Sequence, residues 1–330
     1  MGKYTFTGFV SSQLTATFQV PDRDLSGQVI IVTGSNVGLG YEAAKHLAGM
    51  KPAKLILACR DLVKAEAAAQ EIKNTIDTPT SIEAWKLDLQ NFQSVVQFVD
   101  KCNKELDRLD ILVENAGIAT ETFRLTADKW ESTLQTNVLS TFLMAILLLP
   151  LIRKTTQKNE HPRIVIVASG VHYWTPFVER QAPNIFERLN DESKFDAKDR
   201  YNVSKLLDVL LTKALSNHMR TKQDEKISVM SVCPGLCHSE LARDVGGWHI
   251  WLLKKTLART TEYGSRTFVH SAVGDIGEGR AKGSFWSDCK DTEPSDFVVS
   301  EEGAKIQEKL WGELLEILGG VDERVNTIVQ

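Results

Sequence analysis

Thr33-Gly34-Ser35-Asn36-Val37-Gly38-Leu39-Gly40 follows the apolar run Val29–Val32 and leads directly into a helix-forming segment, Tyr41–Ala48. A strand, a glycine-rich turn and a helix start in that order form a cradle for phosphate, because the first turn of a helix presents unpaired N–H groups. Each glycine has a separate task. Gly34 permits a tight turn, Gly38 lets the backbone approach a pyrophosphate, and Gly40 lets the helix pack closely on the sheet.

Outward from this turn, apolar runs alternate with helix-length amphipathic segments. Val29–Val32, Lys54–Cys59, Ile82–Leu87, Leu109–Val113, Arg163–Ala168 and Ile227–Cys233 are expected to be buried strands, since strands covered on both faces read as continuous apolar runs. The alternation predicts an α/β fold, a doubly wound parallel sheet of Rossmann type, with ligands bound beyond the carboxyl ends of the strands. A single domain is expected over 25–318, with an extension at 1–24 and a tail at 319–330. The regular pattern fails at about 170–199 and 236–260, which look like insertions beside a site.

Composition narrows the function. The 330 residues are 42% hydrophobic and 25% charged, with a net charge of -4; there is no basic surplus to hold a nucleic acid backbone. Five cysteines, an odd number with no C-x-x-C pair, suggest neither a disulfide framework nor a zinc site, and fit a reducing, cytoplasmic location. No metal is expected. Residues 1–19 lack the apolar core of a signal peptide, and the longest apolar stretch, Phe142–Ile152, is shorter than the roughly 20 residues a spanning helix needs. A monomer or homodimer without an integral membrane span is expected.

The chemistry is expected from Tyr201-Asn202-Val203-Ser204-Lys205. At the start of a helix running to about Met219, Tyr201 and Lys205 share one face. A buried ammonium beside a phenol favours the phenolate and is expected to draw its pKa down, so Tyr201 could give a proton to an alkoxide or take one from an alcohol. Upstream, the strand Arg163–Ala168 ends at Ser169, and Thr136-Asn137-Val138 supplies an amide. Pro234-Gly235-Leu236-Cys237-His238-Ser239 follows the sixth strand. Cys237 and His238 have no partner ligands at metal-binding spacing, and His172, near Ser169, is a candidate for substrate contact.

Together these segments resemble the short-chain dehydrogenase/reductase family, and in particular its retinol-dehydrogenase-like and fungal biosynthetic branch, over about Leu25 to Leu318. Its T-G-x-x-x-G-x-G pattern is matched at Thr33, Gly34, Gly38 and Gly40, its N-A-G signature at Asn115-Ala116-Gly117, and its Y-x-x-x-K at Tyr201 and Lys205. The resemblance implies catalysis by Asn137, Ser169, Tyr201 and Lys205. Ser169 would polarise the substrate oxygen, Lys205 would also bind the nicotinamide ribose, and Asn137 would hold a water linking the lysine to solvent. It implies cofactor contacts from Thr33, Gly34, Ser35, Asn36, Gly38, Leu39 and Gly40, from Asp88 and Leu89, from Asn115, Ala116 and Gly117, from Tyr201 and Lys205, and from Pro234, Gly235 and Ser239. Ser239 stands where the family has threonine, Ala168 where it has a first serine, and Glu114 where it more often has asparagine.

The second strand ends Cys59-Arg60-Asp61. The acidic residue that usually binds the ribose is replaced by Cys59, and Arg60 could pair with a 2′-phosphate, so NADP(H) is expected over NAD(H). Asp61, close by, weakens that preference. Residues 170–200 separate Ser169 from Tyr201, more than in compact members of the family. Tyr173, Trp174, Phe177, Phe186 and the segment Trp248–Leu253 are expected to form an apolar lid over a bulky hydrophobic or aromatic small molecule, such as a secondary-metabolite intermediate. Trp248–Leu253 could instead dock on a membrane surface or a second subunit. A cofactor-sensing protein without turnover, or a lyase or isomerase on the same fold, stays open as an alternative.

Overall fold

The computed structural model describes residues 5–158, 161–219, 224–238, 241, 255–277 and 282–329. Eight strands form one sheet: β1 (Val29–Thr33), β2 (Lys54–Cys59), β3 (Ser81–Lys86), β4 (Ile111–Glu114), β5 (Arg163–Val167), β6 (Ser228–Cys233), β7 (Lys282–Ser287) and β8 (Lys290–Thr292). They lie in the order β3-β2-β1-β4-β5-β6-β7-β8, all parallel except the β7–β8 pair. The order reverses between β1 and β4, and a doubly wound sheet opens its ligand crevice at such a switch point.

The six expected strands are all present. β7 and β8 had no sequence signal. In β7 only Phe285, Trp286 and Ser287 are buried, and β8 is a short polar edge paired antiparallel to it. A short strand that buries only one end, and a polar edge strand beside it, bury too little to show an apolar run.

Alternate strand residues feed two cores, as period-2 geometry requires. Ile30, Val32, Leu55, Leu57 and Val113 pack under α2 (Gly38–Gly49), α3 (Leu62–Thr75) and, near β5 and β6, Thr261–Val273. Ile31, Ile56, Leu112, Ile164 and Ile166 pack under α4 (Phe92–Glu105), Ser140–Thr156 and Arg200–His218. In chain order the helices after α4 are α5 (Ser132–Leu134), α6 (Ser140–Thr156), α7 (Ile185–Leu189), α8 (Arg200–His218), α9 (Thr261–Val273), α10 (Asp296–Val299), α11 (Glu301–Val321) and α12 (Arg324–Ile328). The continuous helical stretch Ser132–Thr156 is long and apolar enough to cross a bilayer, and 94% of its apolar window is buried in the protein. Its apolarity is that of a core helix in contact with a sheet.

Residues ahead of the domain start expected at 25 are built into the structure. Helix α1 (Phe6–Thr15) lies against the loop after β6: Gln13 Nε2 donates to the carbonyls of Leu236 and Leu257, both at 2.9 Å. Tyr263 Oη donates to the Ala16 carbonyl at 2.8 Å and accepts from the Phe18 amide at 2.9 Å. At the other terminus Val325 and Val329 of the tail are buried in the core.

The 170–199 insertion forms short helical turns clamped to α11. The Ile185 and Phe186 amides donate to Glu313 Oε2 at 2.8 and 3.1 Å, and Arg180 pairs with Glu302 at 2.9 Å. Phe177 and Phe186 are buried there, and Tyr173 donates its hydroxyl to the Glu293 carbonyl. These three expected lid residues therefore anchor the insertion, Tyr173 against Phe285 of β7 and Phe177 against Phe297 of α10. Trp248–Leu253 lies outside the described residues.

Candidate active site

The strand ends of β1, β4, β5 and β6 and the start of α8 surround a cavity of about 1050 Å³. At one end is the glycine turn. Gly34 and Gly38 take φ of +62° and +67°, values that favour glycine. A Cβ at Gly38 would meet open space, whereas one at Gly40 would lie 2.4 Å from Asn115 Nδ2 and 2.7 Å from the Gly34 carbonyl. Gly38 thus keeps the backbone bare toward the cavity, and Gly40 keeps helix and turn in contact. Val37, at the α2 N-cap, makes no side-chain cap hydrogen bond, leaving the first-turn N–H groups to a ligand. This geometry fits a dinucleotide pyrophosphate.

The turn is tied to β4. Thr33 Oγ1 accepts from the amides of Asn115 and Ala116 at 3.0 and 2.9 Å, and Asn115 Nδ2 donates to the Thr33 and Gly34 carbonyls at 2.8 and 3.1 Å. The side chains of Thr33 and Asn115 are thereby spent on holding the turn. Ser35 is buried and donates to the Val32 carbonyl at 2.8 Å, so only its backbone can face a ligand. Asn36 is half-buried on the turn. Leu39, Ala116, Gly117, Pro234 and Gly235 line the cavity.

Arg60 is exposed and reaches the cavity. Asp61 is occupied elsewhere, capping α3 through the Lys64 amide at 3.1 Å. Asp88 Oδ1 accepts from the Gln90 amide at 3.0 Å and Leu89 is buried; among their neighbours it is Gln90 that lines the cavity. Ser239 lies outside the described residues.

At the other end Ser169, Tyr201 and Lys205 come together on the cavity wall. The Tyr201 hydroxyl faces Ser169, and Lys205 Nζ stands 5.9 Å from the Tyr201 ring centre. That amine donates to the Val167 carbonyl at 2.7 Å and to Asp208 Oδ2 at 2.8 Å. The Cys233 sulfur accepts from the amides of Gly170 and Gly235 at 3.1 and 3.3 Å, fixing the loops after β5 and β6 to each other.

The expected lowering of the Tyr201 pKa is reversed. Burial pushes it above the ordinary phenol value, with the charges of Asp208 and Cys233 adding; Lys205 and the Ser169 hydroxyl pull it down without prevailing. Tyr201 therefore holds its proton at neutral pH. For Lys205 burial works against the charge, yet Asp208 and Tyr201 outweigh it and its pKa lies above the ordinary lysine value.

Asn137 sits in a π-helical turn, Gln135–Leu139. Its Nδ2 donates to the Ile118 carbonyl at 2.9 Å and Ser204 Oγ at 3.0 Å, and its Oδ1 accepts from the Ile118 amide at 2.8 Å. It stands next to Lys205 across Gly117, but its hydrogen bonds go to protein groups. His172, a candidate for substrate contact, is buried: Nδ1 meets the Ser169 carbonyl at 2.8 Å and Nε2 accepts from the Ser295 amide at 3.2 Å. Burial lowers its pKa to about 4, so it is a neutral structural ring.

Of the aromatic residues expected over the site, Trp174 lines the cavity, and it is joined by Phe9 of α1. Phe9 carried no sequence signal, because only tertiary contacts bring α1 to the site. Among the described residues no group of three or more His, Cys, Asp or Glu could hold a metal ion.

Comparison with known proteins agrees with this geometry. Residues 28–175 match the family model described as short chain dehydrogenase. A short chain dehydrogenase/reductase of the fungus Cryptosporiopsis sp. is 40% identical over 326 residues, covering 97% of this chain and 99% of that protein. A short-chain dehydrogenase of Penicillium roqueforti is 40% identical over 320 residues, covering 94% and 82%. Among solved structures, an uncharacterised protein from Mycobacterium paratuberculosis superposes with a TM-score of 0.70 at 26% identity, covering 92% of this chain and 98% of the other. L-sorbose reductase from Gluconobacter frateurii, solved with NADPH and L-sorbose, has a TM-score of 0.58 at 22% identity over 81% of this chain and 97% of that one, a likeness of fold.

Proposed function

We propose that this chain, which belongs to the short-chain dehydrogenase/reductase family, is an NADP(H)-dependent enzyme whose substrate is a bulky hydrophobic or aromatic carbonyl compound or the corresponding alcohol. As a family member it is an oxidoreductase acting on CH–OH or C=O groups with a nicotinamide cofactor. Its strongest support is the meeting of Ser169, Tyr201 and Lys205 on one cavity wall, in the same cavity as the bare backbone of Gly38.

When bound, the nicotinamide supplies or accepts the hydride. The chain's own residues manage the oxygen and its proton. Ser169 Oγ, held at the end of β5, can donate to a substrate oxygen and orient it. Tyr201, protonated at neutral pH, can pass its proton to that oxygen as negative charge develops there. Lys205, cationic and fixed by two hydrogen bonds, stabilises the phenolate left behind.

Arg60 supports the preference for NADP(H). An exposed guanidinium at the end of β2 suits a bidentate pair with a 2′-phosphate, and Asp61, committed to α3, competes less than the sequence suggested. Trp174 and Phe9 support an apolar substrate. Localisation in the cytoplasm and action as a monomer or homodimer complete the proposal.

NADPH and NADH oxidation, followed by absorbance against a panel of bulky and small carbonyl compounds, tests the reading. NADPH with a bulky aromatic ketone or aldehyde is expected to be best. Arg60→Ala should weaken NADPH by about ten- to a hundredfold, the loss of one charge-assisted contact of about 1.5–3 kcal/mol, while leaving NADH unchanged. Preference for NADH, or for small polar carbonyls, would contradict it.

A further inference from the structure

Beneath the proton-handling pair lie two carboxyl groups to which the chemistry above gives no role. Asp208, one turn beyond Lys205 on α8, is wholly buried and spends Oδ2 on the lysine. Its Oδ1 has no hydrogen-bond partner among the described residues. Glu114, at the end of β4, is buried too, and neither of its carboxyl oxygens has a partner. A second anion beside Asp208 would leave a buried charge uncompensated, a state avoided by neutralisation.

We propose that Asp208 is a positioning residue that keeps Lys205 cationic and fixed beneath Tyr201, and that Glu114 carries a proton so that a single anion faces the lysine. The surroundings leave Lys205 no other counter-charge. Tyr201 and Lys205 face Asp208 from α8 itself and Glu114 faces it from β4; Cys233 of β6 acts on Tyr201, and His172, in the turn after β5, is neutral. Elsewhere on α8 Arg200 pairs with Glu131 at 3.6 Å and His218 with Glu308 at 2.9 Å. Burial and the Asp208 charge both hold Glu114 well above the usual carboxylate range. Burial raises Asp208 to about 6 against the pull of Lys205, still on the ionised side of neutrality. A lysine in such a site without its partner loses its proton readily, since buried amines fall by up to about 3–5 pKa units. The proposal rests on the assigned role of Lys205, but its test needs neither cofactor nor substrate.

Lys205 lines the cavity, so a small acylating reagent can reach it. Trace acetylation with acetic anhydride across pH 7–12, quantified at Lys205 by mass spectrometry in the full-length protein, gives the pH at which this amine becomes nucleophilic. Asp208→Asn is expected to lower that midpoint by at least about one unit, a tenfold gain in reactivity at a fixed pH below it. Asp208→Glu should restore much of the difference, which a purely structural effect would not do. Glu114→Gln, neutral for neutral, should leave the midpoint in place. An unmoved midpoint in Asp208→Asn, or a lowered one in Glu114→Gln, would overturn the proposal. If Asp208→Asn does not fold, Glu114→Gln decides it alone. Loss of NADPH turnover with these midpoints intact would count against the proposed function and not against this arrangement.

Discussion

Phe9 and Trp174 meet edge to face, with ring centres 5.9 Å apart and planes at 82°. One comes from the N-terminal helix and the other from the insertion after β5, and both line the cavity that holds Ser169 and Tyr201. An edge-to-face aromatic pair contributes about 0.5–1.5 kcal/mol beyond its buried area. The N-terminal helix thus belongs to the wall of the site.

Phe9→Ala should therefore act on substrate and spare the cofactor. For a bulky aromatic carbonyl, KM is expected to rise up to about tenfold, the equivalent of one such contact. NADPH affinity, read by fluorescence titration, should stay constant, because the glycine turn lies at the other end of the cavity. An unchanged KM across every bulky substrate would remove Phe9 from the site.

The two glycines of the α2 turn should fail differently. Gly40→Ala drives a Cβ into Asn115 and the Gly34 carbonyl and should destabilise the protein by about 1–3 kcal/mol, as overpacking does. Gly38→Ala meets no steric neighbour and costs about 1–2 kcal/mol for its left-handed backbone, yet should weaken NADPH at least about tenfold by filling the space left for phosphate. Thermal unfolding beside NADPH titration separates the two effects, and equal NADPH affinity in Gly38→Ala and the parent would contradict the cradle.

His172 predicts a pH dependence of stability. Its pKa is near 6.5 when unfolded and about 4 when folded, so the unfolded chain binds the extra proton between those values. Its contribution is complete above about pH 6.5 and is lost as pH falls toward 4. The loss amounts to about 3 kcal/mol. Burial lowers His46 and His270 as well, so the difference between parent and His172→Gln isolates this ring. Urea unfolding from pH 7 to pH 4 should show the parent losing more stability than the variant; parallel curves would show that His172 is not buried neutral.

Much of this was legible in the sequence, and what was not has physical reasons. The inner strands could be found because Val29–Thr33 or Lys54–Cys59 are covered on both faces and read as apolar runs. The glycine turn, Ser169, Tyr201 and Lys205 could be found because their spacing is fixed by local geometry. The structure brings Gly34, Val37, Gly38 and Leu39 of the turn to one cavity with Ser169, Tyr201 and Lys205, whereas Thr33, Ser35, Asn36 and Gly40 do not line it. β7 and β8 were hidden because the first half of β7 and the edge strand β8 are little buried. Phe177 and Phe186 looked like lid residues because nothing local shows that Phe297 of α10 meets Phe177 or that α11 holds the segment of Phe186, both more than a hundred positions later. The Tyr201 pKa was misjudged for a similar reason. The i, i+4 lysine is visible along the chain, while the burial and the Asp208 charge that outweigh it depend on the packed core. Glu114 showed as a departure from the family pattern, but its proximity to Asp208 is purely tertiary.

The most direct test of the account is Tyr201→Phe, which removes one hydroxyl and keeps the ring. With NADPH and the best bulky carbonyl substrate of the panel, kcat should fall at least about a hundredfold, the contribution of a positioned general acid, while NADPH binds with parental affinity. A variant that retains kcat within about threefold of the parent would show that Tyr201 does not deliver the proton.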